Sequence, residues 1–384
     1  MAGARTALDV GGAGAYYDPA LLAEATEARL DLGVAELGSH LVYDQQDAGS
    51  DSFSAGELGL VLPLGGRLRG LAFGLYGLFP SNDLGHVVSQ GGETPQFVQY
   101  GSLHRFVLYA ALAAKAGPVA GGIGVQLLNS AQGGLSLSED FASATIGARS
   151  LTLDLVPRAA IDAGLAVDAT ERLRFAGSYR GASDVGLTLP SSVDLGPLAF
   201  DLALSALSFY RPPTWTLAGA WHEAAFSADV EASYLQWSQM PDPALFATFS
   251  PSTPLLPDLA SQQSGVAFHD TVVVRAGGSV ALGGPATLFA GYQYAPTPVP
   301  DQTGPSNLLD CDRHEIAAGL SIDFADPTEL SSGPASVIFA GQYHLLVTRE
   351  AVKQSPLDLY GDGVYGGSLW LASVSLVLRF GGAK

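Results

Sequence analysis

Segments of about ten residues in which every second side chain is apolar recur from Ala28 to Phe380, and the connections between them are alternately short and long. A period of two belongs to a strand that has an apolar medium on one face and tolerates polarity on the other. The last segment shows this most clearly. Trp370, Ala372, Val374, Leu376, Leu378 and Phe380 make one wholly apolar face, with Ser373, Ser375 and Arg379 opposite. Equivalent rows run from Val337 to Val347, Ile316 to Phe324, Leu288 to Tyr294, Val272 to Val280, Phe226 to Tyr234 and Leu173 to Tyr179. Others run from Leu151 to Leu155, Ile123 to Leu127, Phe106 to Leu112, Leu71 to Phe79 and Leu58 to Leu64. With Thr214 to Trp221 and a first strand from Ala28 to Tyr43, the total is about fourteen, an even number as closure of an up-and-down barrel requires. In the first strand the apolar positions change parity near Glu36, which predicts a β-bulge.

Short turns are expected at 63–66, 115–118, 167–171, 222–225 and 282–286, and long links at 80–101, 130–148, 181–213, 239–267, 295–312 and 350–366. A soluble sandwich has no reason to alternate in this way, whereas a transmembrane barrel puts short turns on one side of the bilayer and long loops on the other. Hydrophobic residues make up 47 % of the 384 and charged ones 14 %, yet no run reaches the roughly 18–20 apolar residues of a spanning helix. The predicted fold is therefore all-β, a transmembrane up-and-down antiparallel β-barrel of about fourteen strands. Tyr43, Phe79, Trp237, Tyr294 and Trp370 lie near strand ends, where aromatic girdles are expected.

Charge and side-chain chemistry exclude several functions. A net charge of −19, with no basic run, argues against nucleic acid. The lone Cys311 has no partner for a disulfide or a zinc site and reads as an incidental loop residue. His104, His269 and His314 fall near long-loop strand ends, but there is no HxxxH or HExxH spacing. Their neighbours Asp270 and Glu315 point to the opposite faces of their strands, a poor arrangement for chelation. No metal, cofactor or catalytic residue is expected, and no Ser–His pair stands out. The start, Met1-Ala2-Gly3-Ala4-Arg5, carries no apolar signal-peptide core, so the expectation of an envelope location rests on the strand pattern.

Several short motifs, in order, resemble the FadL-type family of outer-membrane transporters for long-chain fatty acids and other hydrophobic compounds. Tyr17-Asp18-Pro19-Ala20 resembles the family's Asn-Pro-Ala element before the first strand, with Asp18 in place of Asn. Phe79-Pro80-Ser81-Asn82-Asp83-Leu84 resembles the start of its large outer loop, and Pro213-Thr214-Trp215 with Tyr234-Leu235-Gln236-Trp237-Ser238-Gln239 resembles a strand pair ending in Trp-Ser. Most specific are Pro298-Val299-Pro300 and the following Asp310-Cys311-Asp312-Arg313. The resemblance implies a barrel (27–384) plugged by an N-terminal hatch (1–26), here short and partial. It also implies gating by Tyr17, Asp18, Pro19 and Ala20, and a lateral gap in the third strand near Gly74 and Gly77.

An apolar groove at the long-loop end is expected from Phe79, Leu84, Leu202, Phe209, Leu245, Phe246 and Phe249, among other loop apolar residues such as Leu198, Leu255 and Leu256. Burial there supplies roughly 0.8 kcal/mol per methylene. A ligand carboxylate would want a cation; Arg105 and Arg211 are the candidates, with Arg180, Arg313 and Lys353 nearby. The expected partners are outer-membrane lipid and lipopolysaccharide, together with a hydrophobic small molecule. The competing expectation is a non-transporting adaptor that contacts other envelope proteins, a role known in the wider family.

Overall fold

The computed structural model describes residues 3–8, 11–49, 52–65, 70–81, 90–99, 106–140, 145–194, 199–251, 259–261, 263–326 and 333–381. Fourteen antiparallel strands form the wall. They are β1 (Ala28–Tyr43), β2 (Ser52–Leu64), β3 (Leu71–Pro80), β4 (Val107–Ala116), β5 (Val119–Asp140), β6 (Thr145–Asp168) and β7 (Leu173–Arg180). After them come β8 (Thr214–Glu223), β9 (Phe226–Leu235), β10 (Thr271–Ala281), β11 (Ala286–Ala295), β12 (Arg313–Phe324), β13 (Ala335–Ala351) and β14 (Gly363–Phe380). Each pairs with the next, and β14 returns to β1 from Ala28↔Phe380 to Tyr43↔Tyr365. The ring leaves no open edge, the condition for a sheet in a medium without water.

Alternation along each strand separates two environments. In β8, Thr214, Thr216, Ala218 and Ala220 are buried, while Trp215, Leu217 and Trp221 point outward. Leu217 is 73 % exposed, so the apolar face is turned to the surroundings and not to a protein core. Trp215, Tyr343 and Trp370 mark the long-loop end of this band, and Trp221, Phe226 and Phe324 the short-turn end. No helix among the described residues is long and apolar enough to cross a membrane.

Three expectations fail for one reason: the long-loop end has an apolar interior of its own. Leu41 faces inward and packs with Phe97, Leu309, Leu346, Tyr365 and Leu369. The parity change near Glu36 is therefore a change in what fills the lumen; the ladders of β1 with β14 and β2 pass that position without a bulge. Tyr43 packs against that same inner cluster, and Trp237 lies in a second one with Phe268, Val299 and Leu308, so neither belongs to a girdle. Cys311 is a core residue of the first cluster, its thiol pushed up to about 12 by burial.

Where a link is expected at 130–148, residues 130–140 and 145–148 are instead extensions of two wall strands. β5 and β6 stay paired to Asp140↔Thr145, well past the barrel rim. Strands Ser183–Asp194 and Ala199–Arg211 continue that projecting sheet, followed by Phe246–Pro251 and Leu259–Ala260. The wall portion of β6 is consequently not 151–155; Ile161 and Leu165 face outward there and Asp162 inward.

Candidate functional site

Residues 3–8 and 11–27 run inside the barrel and are pinned to its inner face at three places. The Thr6 and Ala7 N–H groups donate to Glu231 and Asp229 of β9, at 3.2 and 3.3 Å. The Gly12 N–H donates to Asp31 of β1 at 3.1 Å. Glu24 meets Lys115 of β4 at 2.8 Å and Arg174 of β7 at 3.2 Å, and both cations also hold Asp168. A helical turn, Gly14–Tyr17, and a 3-10 turn, Pro19–Glu24, connect these anchors, with Asp18 capping the second through a 2.9 Å bond from the Ala20 N–H. Pro19 supplies a pre-set φ at the first position of that turn.

Glycines in the wall receive this segment. At Gly122 of β5 a Cβ would lie 2.6 Å from the Ala20 nitrogen, and at Gly164 of β6 it would overlap the Asp18 carboxylate. Leu22 occupies the equivalent place over Gly74 of β3, where a Cβ would lie 2.6 Å from its methyl carbons. Of the residues expected to gate, Asp18 and Ala20 are fully buried, Pro19 is buried and Tyr17 half-buried. Gly77 faces outward beneath the Phe79 ring. Through this region β3 is paired without a register shift to β2 (Leu64↔Leu71 to Ala55↔Pro80) and to β4 (Leu71↔Ala114 to Leu78↔Val107). The wall is thus closed at Gly74 and Gly77, and the expected lateral gap is not open in this structure.

Above the segment lies a buried polar cluster. Tyr16 forms its floor, edge-to-face with Tyr109 of β4 at 5.1 Å and under the Arg180 guanidinium at 4.5 Å. Arg180 lowers the Tyr16 phenol pKa against the opposing effect of burial. The roof comes from the loop strand Ala199–Arg211. Arg211 donates to the Tyr109 hydroxyl at 2.9 Å and the Gly181 carbonyl at 3.0 Å, and lies 3.7 Å from Asp162. Phe209 and Val185 pack over Tyr109 and Leu128. Two guanidiniums, always protonated, thus face one carboxylate. Arg180 is 8 % exposed, and its Nε and Nη1 have no hydrogen-bond partner, like the nearby Gln126 Oε1, Ser178 and Ser183.

The predicted apolar groove is divided. Leu245 and Phe246 line a cavity of ≈ 280 Å³ at the long-loop end, where Leu187 and Leu207 share the lining with the polar Thr188, Ser205, Asp242 and Gln263. Leu202 and Phe249 face each other in the adjoining ladder. Phe209 lies lower, in the roof of the cluster, while Phe79 points outward and packs on Phe106 at 5.3 Å. Leu84, Arg105, His104, Leu198, Leu255 and Leu256 lie outside the described residues. Lys353 is occupied by the Gly304 and Ser306 carbonyls. His314 faces outward and bonds the Tyr292 hydroxyl at 2.6 Å, while Glu315 faces inward toward His344 at 3.4 Å. The sequence reading missed the plug anchors Asp31, Asp229, Glu231 and Lys115. Charged residues in the inward phase of otherwise apolar strands were the signal available.

A closed fourteen-stranded barrel with its N-terminal segment lodged in the lumen and long loops at one end defines a plugged β-barrel. The particular fold is that of the FadL-like channels. The chain is similar to a Pseudomonas aeruginosa FadL homologue, with TM-score 0.64 and 16 % identity over 96 % of this chain and 94 % of that one. It is similar to the Pseudomonas putida toluene transporter TodX, with TM-score 0.62 and 17 % identity over 97 % and 95 %. It also matches the monoaromatic hydrocarbon channel CymD, with TM-score 0.58 and 16 % identity over 98 % and 94 %. No protein-family model and no curated protein matches the sequence. At such identities the likeness is one of fold.

Proposed function

We propose that this chain is an outer-membrane channel for passive uptake of hydrophobic small molecules, and that it favours those with an anionic end, such as long-chain fatty acids. The observation that carries this reading is the Arg180–Arg211 pair between the N-terminal segment and the loop hairpin, Arg180 buried and Arg211 half-buried, with donor nitrogens unused. Neutral hydrocarbons of the kind named for TodX and CymD would need no such cations. The cavity at Leu245 and Phe246 supplies first capture, and the rings of Tyr16, Tyr76 and Tyr109 flank the path below. The apolar outward band and its aromatic girdles support a wall surrounded by lipid, with lipopolysaccharide above it.

Release follows the plug. Leu22 covers Gly74, so its withdrawal would leave the inner face of β3 bare at that one position, between Ala72 and Tyr76. That is where the wall would part toward the membrane. The test is native mass spectrometry of the detergent-extracted protein with added palmitate or toluene. Saturable palmitate binding that exceeds toluene binding is expected, and absence of saturable binding by either would overturn the reading.

A second reading, a non-transporting barrel that serves as an adaptor for other envelope proteins, is favoured by the unbroken β2–β3–β4 ladder. Liposomes separate the two. A channel raises palmitate entry above that of empty liposomes, and an adaptor leaves it unchanged.

A further inference from the structure

Of the acids that hold the N-terminal segment, Asp18 and Asp229 alone lack a cation among the described residues; Asp229 meets the segment at Ala7, far from the turn that Asp18 caps. Glu24, Asp31 and Glu231 each sit against a cation, at 2.8 Å from Lys115, 2.6 Å from Arg29 and 2.7 Å from Arg275. Asp18 is fully buried, and among the described residues no cation lies within ion-pair distance of it. One oxygen accepts the Ala20 N–H, and the other, buried, has no hydrogen-bond partner. The carboxyl fills the space that the missing side chain of Gly164 leaves.

We propose that Asp18 is a proton-operated latch: protonated, it holds the segment in its seat on β5 and β6, and ionised, it favours release of the segment from that seat. A neutral carboxyl can be buried with one bond unmade at modest cost, whereas a carboxylate there lacks the partners that make burial of charge tolerable.

The charged groups around the seat do not supply them. On β7, Arg174 is engaged by Asp168 at 2.6 Å and Glu24 at 3.2 Å, and Arg180 is stacked over Tyr16. On β4, Lys115 is engaged by Glu24 and Asp168. β6 adds two more acids to its inner face, Asp162 and Asp168. On β5 the inner face from Ala120 to Leu128 carries only Gln126 as a polar side chain, and β8 offers Thr216, Ala218 and Ala220. Within the segment itself the titratable neighbours are Tyr16, Tyr17 and Glu24. Burial accordingly raises Asp18 to about 7, against the smaller opposing effects of the Ala20 N–H and of Arg174.

The sign follows from linkage. A released Asp18 ionises near its ordinary value of about 3.9, so seating is at full strength below that pH. It weakens by about tenfold per pH unit up to about 7, then levels off. The latch depends on the seat alone and its readout uses no ligand, so it fails or stands apart from the transport reading.

The experiment is hydrogen–deuterium exchange of residues 14–24 in the full chain in detergent, wild type against Asp18→Asn, at pH 5 to 8. Comparison at each pH cancels the intrinsic pH dependence of amide exchange. The ratio of wild-type to variant exchange is expected to grow about a hundredfold over that range, most of it before pH 7. A ratio that stays constant overturns the proposal. Gly164→Ala, which displaces the carboxyl with the wall ladder intact, is expected to exchange fast at every pH. If it keeps the wild-type profile, the proton acts elsewhere and the proposal fails.

Discussion

Burying a guanidinium with two nitrogens unpaired costs about 1–3 kcal/mol for each unsatisfied group, and Arg180 does this in a cluster that also holds Arg211. A ligand carboxylate would remove that cost, so the two arginines should distinguish ligands by charge. Arg180→Met and Arg211→Met are each expected to weaken palmitate binding by about 10- to 100-fold, the equivalent of about 1.5–3 kcal/mol for a hydrogen bond to a charged group. Toluene binding should not change. Equal losses for both ligands in a fluorescence displacement titration would mean that the arginines only support the cluster's shape. Leu22 presents a different single-residue case. It is fully buried over Gly74, so Leu22→Ala should loosen the segment by about 2–5 kcal/mol with no effect on the wall. Limited proteolysis of the N-terminal residues would report it as faster cleavage, and unchanged cleavage would show that Leu22 does not hold the plug.

At the scale of strands, each wall element has a lipid phase and a lumen phase, and a charge should be costly only in the first. Leu217, outward in the middle of β8, should cost about 2–4 kcal/mol as Leu217→Arg, while the adjacent inward Thr216→Ser should cost far less. Urea unfolding in lipid vesicles measures the difference, and similar costs at the two positions would refute the assignment of faces. This phase was legible in the sequence wherever one face stayed apolar for the whole strand, as in β12, β13 and β14. It misled at β1, where Leu41 is apolar because Phe97 and Leu309 meet it inside the lumen, a long-range contact that periodicity cannot reveal. The reach of β5 and β6 beyond the rim was hidden for a related reason. Residues 130–148 are rich in Ser and Gly, which read as a loop, and the strand pairing of 130–140 and 145–148 comes from each other and from Ser183–Asp194. In the candidate site, Arg180, Arg211 and Asp18 could be named from the sequence. Tyr76, Tyr109, Gln126 and Asp162 could not, since only the closed ring brings four different strands to one place.

For the molecule as a whole, closure and plugging are separable. The wall closes through β1 and β14, paired from Ala28 to Tyr43, with no contribution from the described residues before Ala28. Those earlier residues are held by side chains of the inner face: Asp31, Asp229 and Glu231 accept their backbone N–H groups, and Lys115 and Arg174 pair with Glu24. A chain that lacks residues 3–24 should therefore still form the barrel, visible as a heat-modifiable band on electrophoresis and as undiminished β-sheet circular dichroism. Its lumen would lose the floor formed by Tyr16 and the seat fillers Asp18, Ala20 and Leu22. The acids and cations left behind would line a hydrated passage. In planar bilayers the truncated protein is expected to show a steady ion conductance that the full chain lacks at pH 5, where the segment is most firmly seated. A folded, truncated barrel with no more conductance than the full chain would place the block elsewhere, in the long-loop roof of Arg211, Val185 and Phe209. A truncated chain that does not fold would instead make the segment part of the barrel's own stability.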